Sequence, residues 1–167
     1  MNYCKYIPID VLNGRGTRCT LFVAGCEHHC KGCYNQSTWN VNAGFPFTQD
    51  LSDTIIADLN DTRVKRRGLS LSGCDPLLPA NLPAVKALCE RVRAECSPDK
   101  DIWLWTGYVY SELTPEQMEV VELIDVLIDG KFVLELKDPS LAFRGSSNQV
   151  IHKFNRAQAY WKTGKGQ

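Results

Sequence analysis

The chain has 167 residues, 44% apolar and 23% charged, and its 19 basic and 19 acidic side chains cancel. That is material for one core and one domain, and the balanced charge removes the broad basic footprint expected of a nucleic-acid-binding protein. Eight cysteines, with no apolar signal segment in "MNYCKYIPID" and no apolar stretch of membrane-spanning length, predict a cytoplasmic protein whose thiols serve metal binding or catalysis rather than disulfides.

In chain order, "TRCTLFVAG" (17–25) is rich in β-branched and apolar residues and predicts a first strand. "TQDLSDTIIADLN" then places Leu51, Ile55 and Leu59 on one helical face, with Thr48 as cap. "GLSLSG" alternates leucine and serine as a strand does. "NLPAVKALCERVRAE" follows as a helix, with Pro83 in its first turn and Val85, Leu88 and Val92 on one face. "DIWLWTG" predicts another strand. "LTPEQM" opens a helix with Thr114 as cap, Pro115 in first position and Gln117 completing a capping box. "IDVLID" and "NQVIH" read as two further short strands, and residues 155–167 as a C-terminal tail of low order.

Strands spaced by helices imply right-handed crossovers and a parallel sheet with its sites at the carboxyl ends of the strands. The predicted strands end in residues suited to a site: Gly25-Cys26, Gly73-Cys74-Asp75, Thr106-Gly107 and Asp129-Gly130-Lys131. A complete eightfold barrel takes about 250 residues, so the expected fold is α/β, an open partial (β/α) barrel over residues 1–154.

"VAGCEHHCKGCYN" sets Cys26, Cys30 and Cys33 at C-x3-C-x2-C spacing. A structural zinc closes its tetrahedron with four protein ligands, so this reading needs a fourth from His28, His29, Cys4 or Cys19. An iron-sulfur cube held by three thiolates leaves one iron with an open position. Gly25 and Gly32 suit a backbone that passes close to sulfur. At the level of residues both metals stay open. His28 and His29 are expected to face solvent, since three cysteines already suffice for a cube. Cys4, Cys19, Cys89 and Cys96 are expected to be packed thiols.

The cysteine spacing directly after a first strand resembles that of radical S-adenosylmethionine enzymes. More narrowly, "NGRGTRCTLFVAGCEHHCKGCYN", "SLSGCDPL", "WLWTGY", "LIDGKF" and "FRGSSNQ", in that order over about residues 2–153, resemble the anaerobic ribonucleoside-triphosphate reductase-activating proteins. The resemblance implies one 4Fe-4S cluster held by Cys26, Cys30 and Cys33, with the methionine amino and carboxylate groups of S-adenosylmethionine on the fourth iron. It implies reductive cleavage to methionine and a 5'-deoxyadenosyl radical, which takes an α hydrogen from one glycine in the large subunit of the partner reductase. A flavodoxin-like protein is the implied electron donor, and a homodimer is left open.

The same resemblance assigns further cofactor contacts. Gly32, Cys33 and Tyr34 belong to the cluster loop, with Tyr34 packing on the adenine or acting as a hydrophobic lid. Gly73-Cys74-Asp75-Pro76 resembles a Gly-Gly-Asp-Pro segment that lies against the methionine amino group, with Cys74 in place of the second glycine. Three placements are open for that thiol: crowding the ligand, filling a neighbouring gap, or serving as an extra iron ligand. Thr106 lines the adenine or methionine pocket, while Asp129 and Lys131 match an Asp-x-Lys pattern near the ribose and carboxylate, or are a surface acid and base at a turn. "NGRGTR", with Arg15 where proline is common, is not a dinucleotide fingerprint, because the third glycine and the following helix are missing. "RGSSNQ" contacts substrate or is a polar turn. Two alternative functions remain: activation of a different glycyl-radical enzyme, and a non-catalytic iron-sulfur or zinc module.

Overall fold

A computed structural model describes residues 1–154, so the predicted tail at 155–167 lies outside the described residues. Seven strands form one sheet: β1 (Asn2–Asp10), β2 (Arg18–Val23), β3 (Phe45–Pro46), β4 (Gly68–Gly73), β5 (Asp101–Trp105), β6 (Val126–Asp129) and β7 (Val150–Lys153). Their order is β3-β1-β2-β4-β5-β6-β7. The central run β2-β4-β5-β6 is parallel, as expected, but β1, β3 and β7 pair antiparallel, so the sheet is mixed and open. β1 and β3 were not legible as strands. β1 has two register irregularities, contains Pro8 and shows no in-out alternation of burial, while β3 is only two residues long.

Three α-helices lie between the parallel strands: α1 (Gln49–Asn60), α2 (Leu82–Glu95) and α3 (Pro115–Val121). Because the parallel strands are neighbours in chain order, crossovers of one hand put all three helices on one face. Strand alternation then sorts the side chains. Leu21, Leu69, Leu71, Ile102, Leu104 and Leu127 join Ile55, Leu59, Val85, Leu88, Val92 and Val120 in the main core. Trp103, Val126 and Ile128 point to the opposite face, where Trp105, Phe143 and Ile151 pack on them.

Helix starts follow the sequence. The Thr48 side chain accepts from the Leu51 amide, and Thr114 and Gln117 form a reciprocal capping box with Pro115 in the first turn. On the helix-free face Arg18 is fully buried. Its guanidinium donates to Ser70 Oγ at 2.7 Å and the Leu69 carbonyl at 2.9 Å, pairs with Asp101 at 2.6 Å and lies 5.3 Å from the Trp103 ring centre. Ser70 Oγ donates in turn to the Asn13 carbonyl at 2.5 Å. The "NGRGTR" segment is thereby seated on the sheet as a structural loop, and a buried charge is fully partnered, as it must be. Among the described residues no helix is long and apolar enough to cross a membrane.

Leu71 is fully buried between the parallel strands and the helices, so Leu71→Ala should cost about 2–5 kcal/mol, against about 1 kcal/mol for Thr114→Ala. Urea denaturation of the two variants measures this. A loss at Leu71 no larger than at Thr114 would show that the core does not depend on this contact layer.

Candidate functional site

The parallel strands all end at one edge of the sheet, and the cysteine loop leaves from the first of them. Gly25 turns the chain at φ +90°, with Val41 and Leu78 filling the space a Cβ would need. The loop is closed by its own ends: the Gly25 amide donates to the Thr38 carbonyl at 2.9 Å and the Cys26 amide to the Trp39 carbonyl at 2.9 Å. Inside it, the Cys33 amide donates to the Cys30 carbonyl at 3.1 Å and the Asn35 amide to Cys33 Sγ at 3.3 Å. Cys26, Cys30 and Cys33 are half-buried, free of disulfides, and line one cavity of about 480 Å³. Trp105, Phe132 and Phe143 give that cavity apolar walls.

Two sets of bonds hold the loop against the ends of β4 and β5. On one side Asp75, 1% exposed, accepts from the Leu77 amide (2.9 Å), Thr106 Oγ1 (2.8 Å), the Gly107 amide (2.9 Å) and His28 Nε2 (2.6 Å). On the other, Asn35 Nδ2 donates to the Gly73 carbonyl at 2.7 Å. The Cys74 thiol donates to the Thr38 carbonyl at 2.9 Å and sits 3.0 Å from Thr38 Oγ1. Of the three placements open for Cys74, the structure takes the gap beside the loop. The left-handed φ of +96° belongs to Gly73 alone, so position 74 accepts a side chain without backbone strain.

The cavity thus gathers Cys26, Cys30, Cys33, Tyr34, Gly73, Cys74, Asp75 and Thr106. The Asp75 carboxylate and the Thr106 hydroxyl are both engaged within the protein, with each other and with neighbouring donors. Gly32, at φ +76°, packs against Leu134 outside the cavity. Asp129, 4% exposed, accepts from the Tyr110 amide at 2.7 Å and lies 3.0 Å from His152 Nε2, so it ties β6 to its neighbours. Lys131 lines an adjacent cavity of about 650 Å³ with Glu27, Tyr108 and Glu112. Tyr34 is 81% exposed, and its hydroxyl accepts from Lys137 Nζ at 2.8 Å at the cavity mouth. "RGSSNQ" is a polar turn in which Gln149 holds Gly130, Gly145 and Ser146, while Arg144 reaches the cavity. Sequence reasoning missed His28, Asn35 and Thr38, which carry loop contacts to partners 36 to 47 residues away. The expectation that His28 faces solvent is corrected, for its side chain is only 5% exposed.

Burial pushes the Cys26 thiol up to about 11 and also raises Cys30 and Cys74. Since thiols bind metal as thiolates, a metal bound here must displace these protons, and its binding strengthens as the pH rises. Two of the four candidates for a fourth zinc ligand are placed elsewhere: His28 is committed to Asp75, and Cys19 is buried in the core with its thiol directed at the Pro8 carbonyl. Among the described residues no three His, Cys, Asp or Glu side chains converge to hold a single ion. Three thiols lining one cavity suit a cube, in which each would meet a different iron.

An open α/β sheet with a three-cysteine loop at the strand ends defines an iron-sulfur protein, and the family model described as a 4Fe-4S single cluster domain matches residues 12–152. The chain is 65% identical over 152 residues to the anaerobic ribonucleoside-triphosphate reductase-activating protein of Escherichia coli K12, covering 91% of this chain and 98% of that one. The protein of the same name from Vibrio cholerae is 65% identical over 154 residues (92% and 99%), and that of Enterobacteria phage T4 is 41% identical over 162 residues (97% and 99%). The chain belongs to the family of anaerobic ribonucleoside-triphosphate reductase-activating proteins.

In the metal-free chain, the Cys26 thiol should stay mostly protonated at pH 9 and its alkylation should accelerate up to about pH 11. Mass spectrometry after timed iodoacetamide pulses reads this. Full reactivity at about pH 8 would place Cys26 in a more polar setting than the cavity wall.

Proposed function

We propose that this chain activates an anaerobic ribonucleoside-triphosphate reductase, holding one 4Fe-4S cluster through Cys26, Cys30 and Cys33 and binding S-adenosylmethionine in the same cavity. The observation that carries the reading is the set of three disulfide-free thiols that line one cavity together with the Gly73 turn. When bound, the cluster supplies the electron that splits S-adenosylmethionine into methionine and a 5'-deoxyadenosyl radical, which takes an α hydrogen from one glycine of the reductase large subunit.

The chain's own task is to bind, orient and exclude water. Gly73 makes a left-handed turn against the β2 backbone where a Cβ would not fit, and Cys74 is kept aside by Thr38. Trp105, Phe132 and Phe143 lower the polarity around the reacting groups, and Tyr34 stands at the mouth. Lys131, in the adjoining cavity, offers a cation for a carboxylate, and Asp129 and Thr106 fix the strand ends that carry the pocket. Gly32 lets the loop bend ahead of Cys33.

The finer fold in this reading is the partial barrel of radical S-adenosylmethionine enzymes, built from residues 1–154. The parallel run β2-β4-β5-β6 with helices on one face supports it. A flavodoxin-like protein is the electron donor, and the reaction takes place in the cytoplasm.

Anaerobic reconstitution with iron and sulfide, reduction, and addition of S-adenosylmethionine should yield 5'-deoxyadenosine and methionine in equal amounts, dependent on the reductant. Alanine at Cys26, Cys30 or Cys33 should abolish cleavage and lower bound iron, and a variant that still cleaves would mean the ligands are misassigned. Cys74→Gly should bind S-adenosylmethionine at least as tightly as the parent in equilibrium binding. A clear loss of affinity would give the thiol a positive role.

A further inference from the structure

His28 lies between Cys26 and Cys30, yet its side chain is turned inward to Asp75. A carboxylate offers about four acceptor positions. At Asp75 the Leu77 amide and Thr106 hydroxyl occupy Oδ1, and the Gly107 amide and His28 Nε2 occupy Oδ2. The first three partners belong to the chain just beyond β4 and β5, whereas His28 comes from the cysteine loop. Because Asp75 accepts from two backbone amides, it serves as acceptor throughout, and the hydrogen-bond network assigns the shared proton to His28 Nε2.

The surroundings are shaped for the ring. The absence of a side chain at Gly107 makes its space, since a Cβ there would overlap the imidazole. Tyr108 meets the ring edge-on at 4.5 Å between centres, and the Tyr108 hydroxyl donates to Glu27 Oε1 at 2.5 Å. Residues 27 and 28 are therefore both held by residues 106–108.

We propose that His28 is a positioning residue. Its bond to Asp75 fixes the middle of the Cys26–Cys30 segment on the ends of β4 and β5, and so sets where these two thiols stand in their shared cavity. The consequence for the cluster rests on the reading of the cysteines as its ligands; the fixing of the loop does not.

Two measurements test this on the full chain: hydrogen exchange of the amides of residues 27–33 without metal, and iron loss to a ferrous chelator after anaerobic reconstitution. His28→Leu keeps volume and removes the donor, and it should speed both by about tenfold or more through local opening. Gly107→Ala should do the same by expelling the ring. His28→Gln, whose amide reaches the same carboxylate, should return both rates toward the parent, and Lys31→Ala, at a side chain 82% exposed, should leave them unchanged. Loop exchange at the parent rate in His28→Leu overturns the proposal, whatever the iron result. Failure of His28→Gln to recover overturns it too, because general destabilisation would not be relieved by restoring one donor. A parent that takes up no iron and sulfide would sink the cluster reading alone, with the exchange rates still deciding the role of His28.

Discussion

The Asp75 carboxylate joins three pieces of chain that are far apart in sequence: the cysteine loop, the turn after β4 and the end of β5. Withdrawing a carboxylate from water costs several kcal/mol unless donors surround it. Here two amides, a hydroxyl and an imidazole do so, and the charge-assisted bonds they make are the stronger kind. β4 and β5 are already neighbours in the sheet, and the carboxylate ties the cysteine loop to both of them. The cavity lies where this acceptor draws the three pieces together.

A second clamp works from the opposite side of the loop. Asn35 reaches the Gly73 carbonyl and Thr38 receives the Cys74 thiol, so the turn 73–75 grips the loop fore and aft. This arrangement explains how a cysteine is accommodated where the related Gly-Gly-Asp-Pro pattern has glycine. Only Gly73 needs the left-handed torsion, and its close neighbours are backbone atoms of β2. The next residue has room for a side chain pointed at Thr38. The substitution therefore adds a latch to the loop and leaves the turn unstrained.

Much of the fold was legible because the parallel strands and the helices carry their periodicities openly. Leu69 and Leu71 alternate with serines, Val85, Leu88 and Val92 mark a helical stripe, and Thr114 with Gln117 announces a helix start that the structure reproduces. β1 and β3 were not, since a register-shifted β1 and a two-residue β3 have no period to detect, whereas the edge strand β7 was readable in "NQVIH". At the site, the cysteines were legible from spacing, which is local. The contacts of His28 and Asn35 are not, because they depend on which strand ends become neighbours. Asp129 shows the opposite limit: its strand-end position suggested a ligand contact, while its carboxylate is occupied by the Tyr110 amide and faces His152.

The order of assembly follows from where the clamps originate. In a zinc finger the metal gathers its ligands from a short stretch and folding follows binding. Here the loop between Cys26 and Cys33 is made early in the chain, but the groups that hold it come from residues 73–75 and 106–108. Those groups take their places only once β4 and β5 have paired beside β2, and such non-local pairings form slowly. Without them, only the loop's own closing bonds, at Thr38 and Trp39, order the three thiols. The sheet is thus the template that holds the loop, so the placing of three early thiols depends on strands that come much later in the chain.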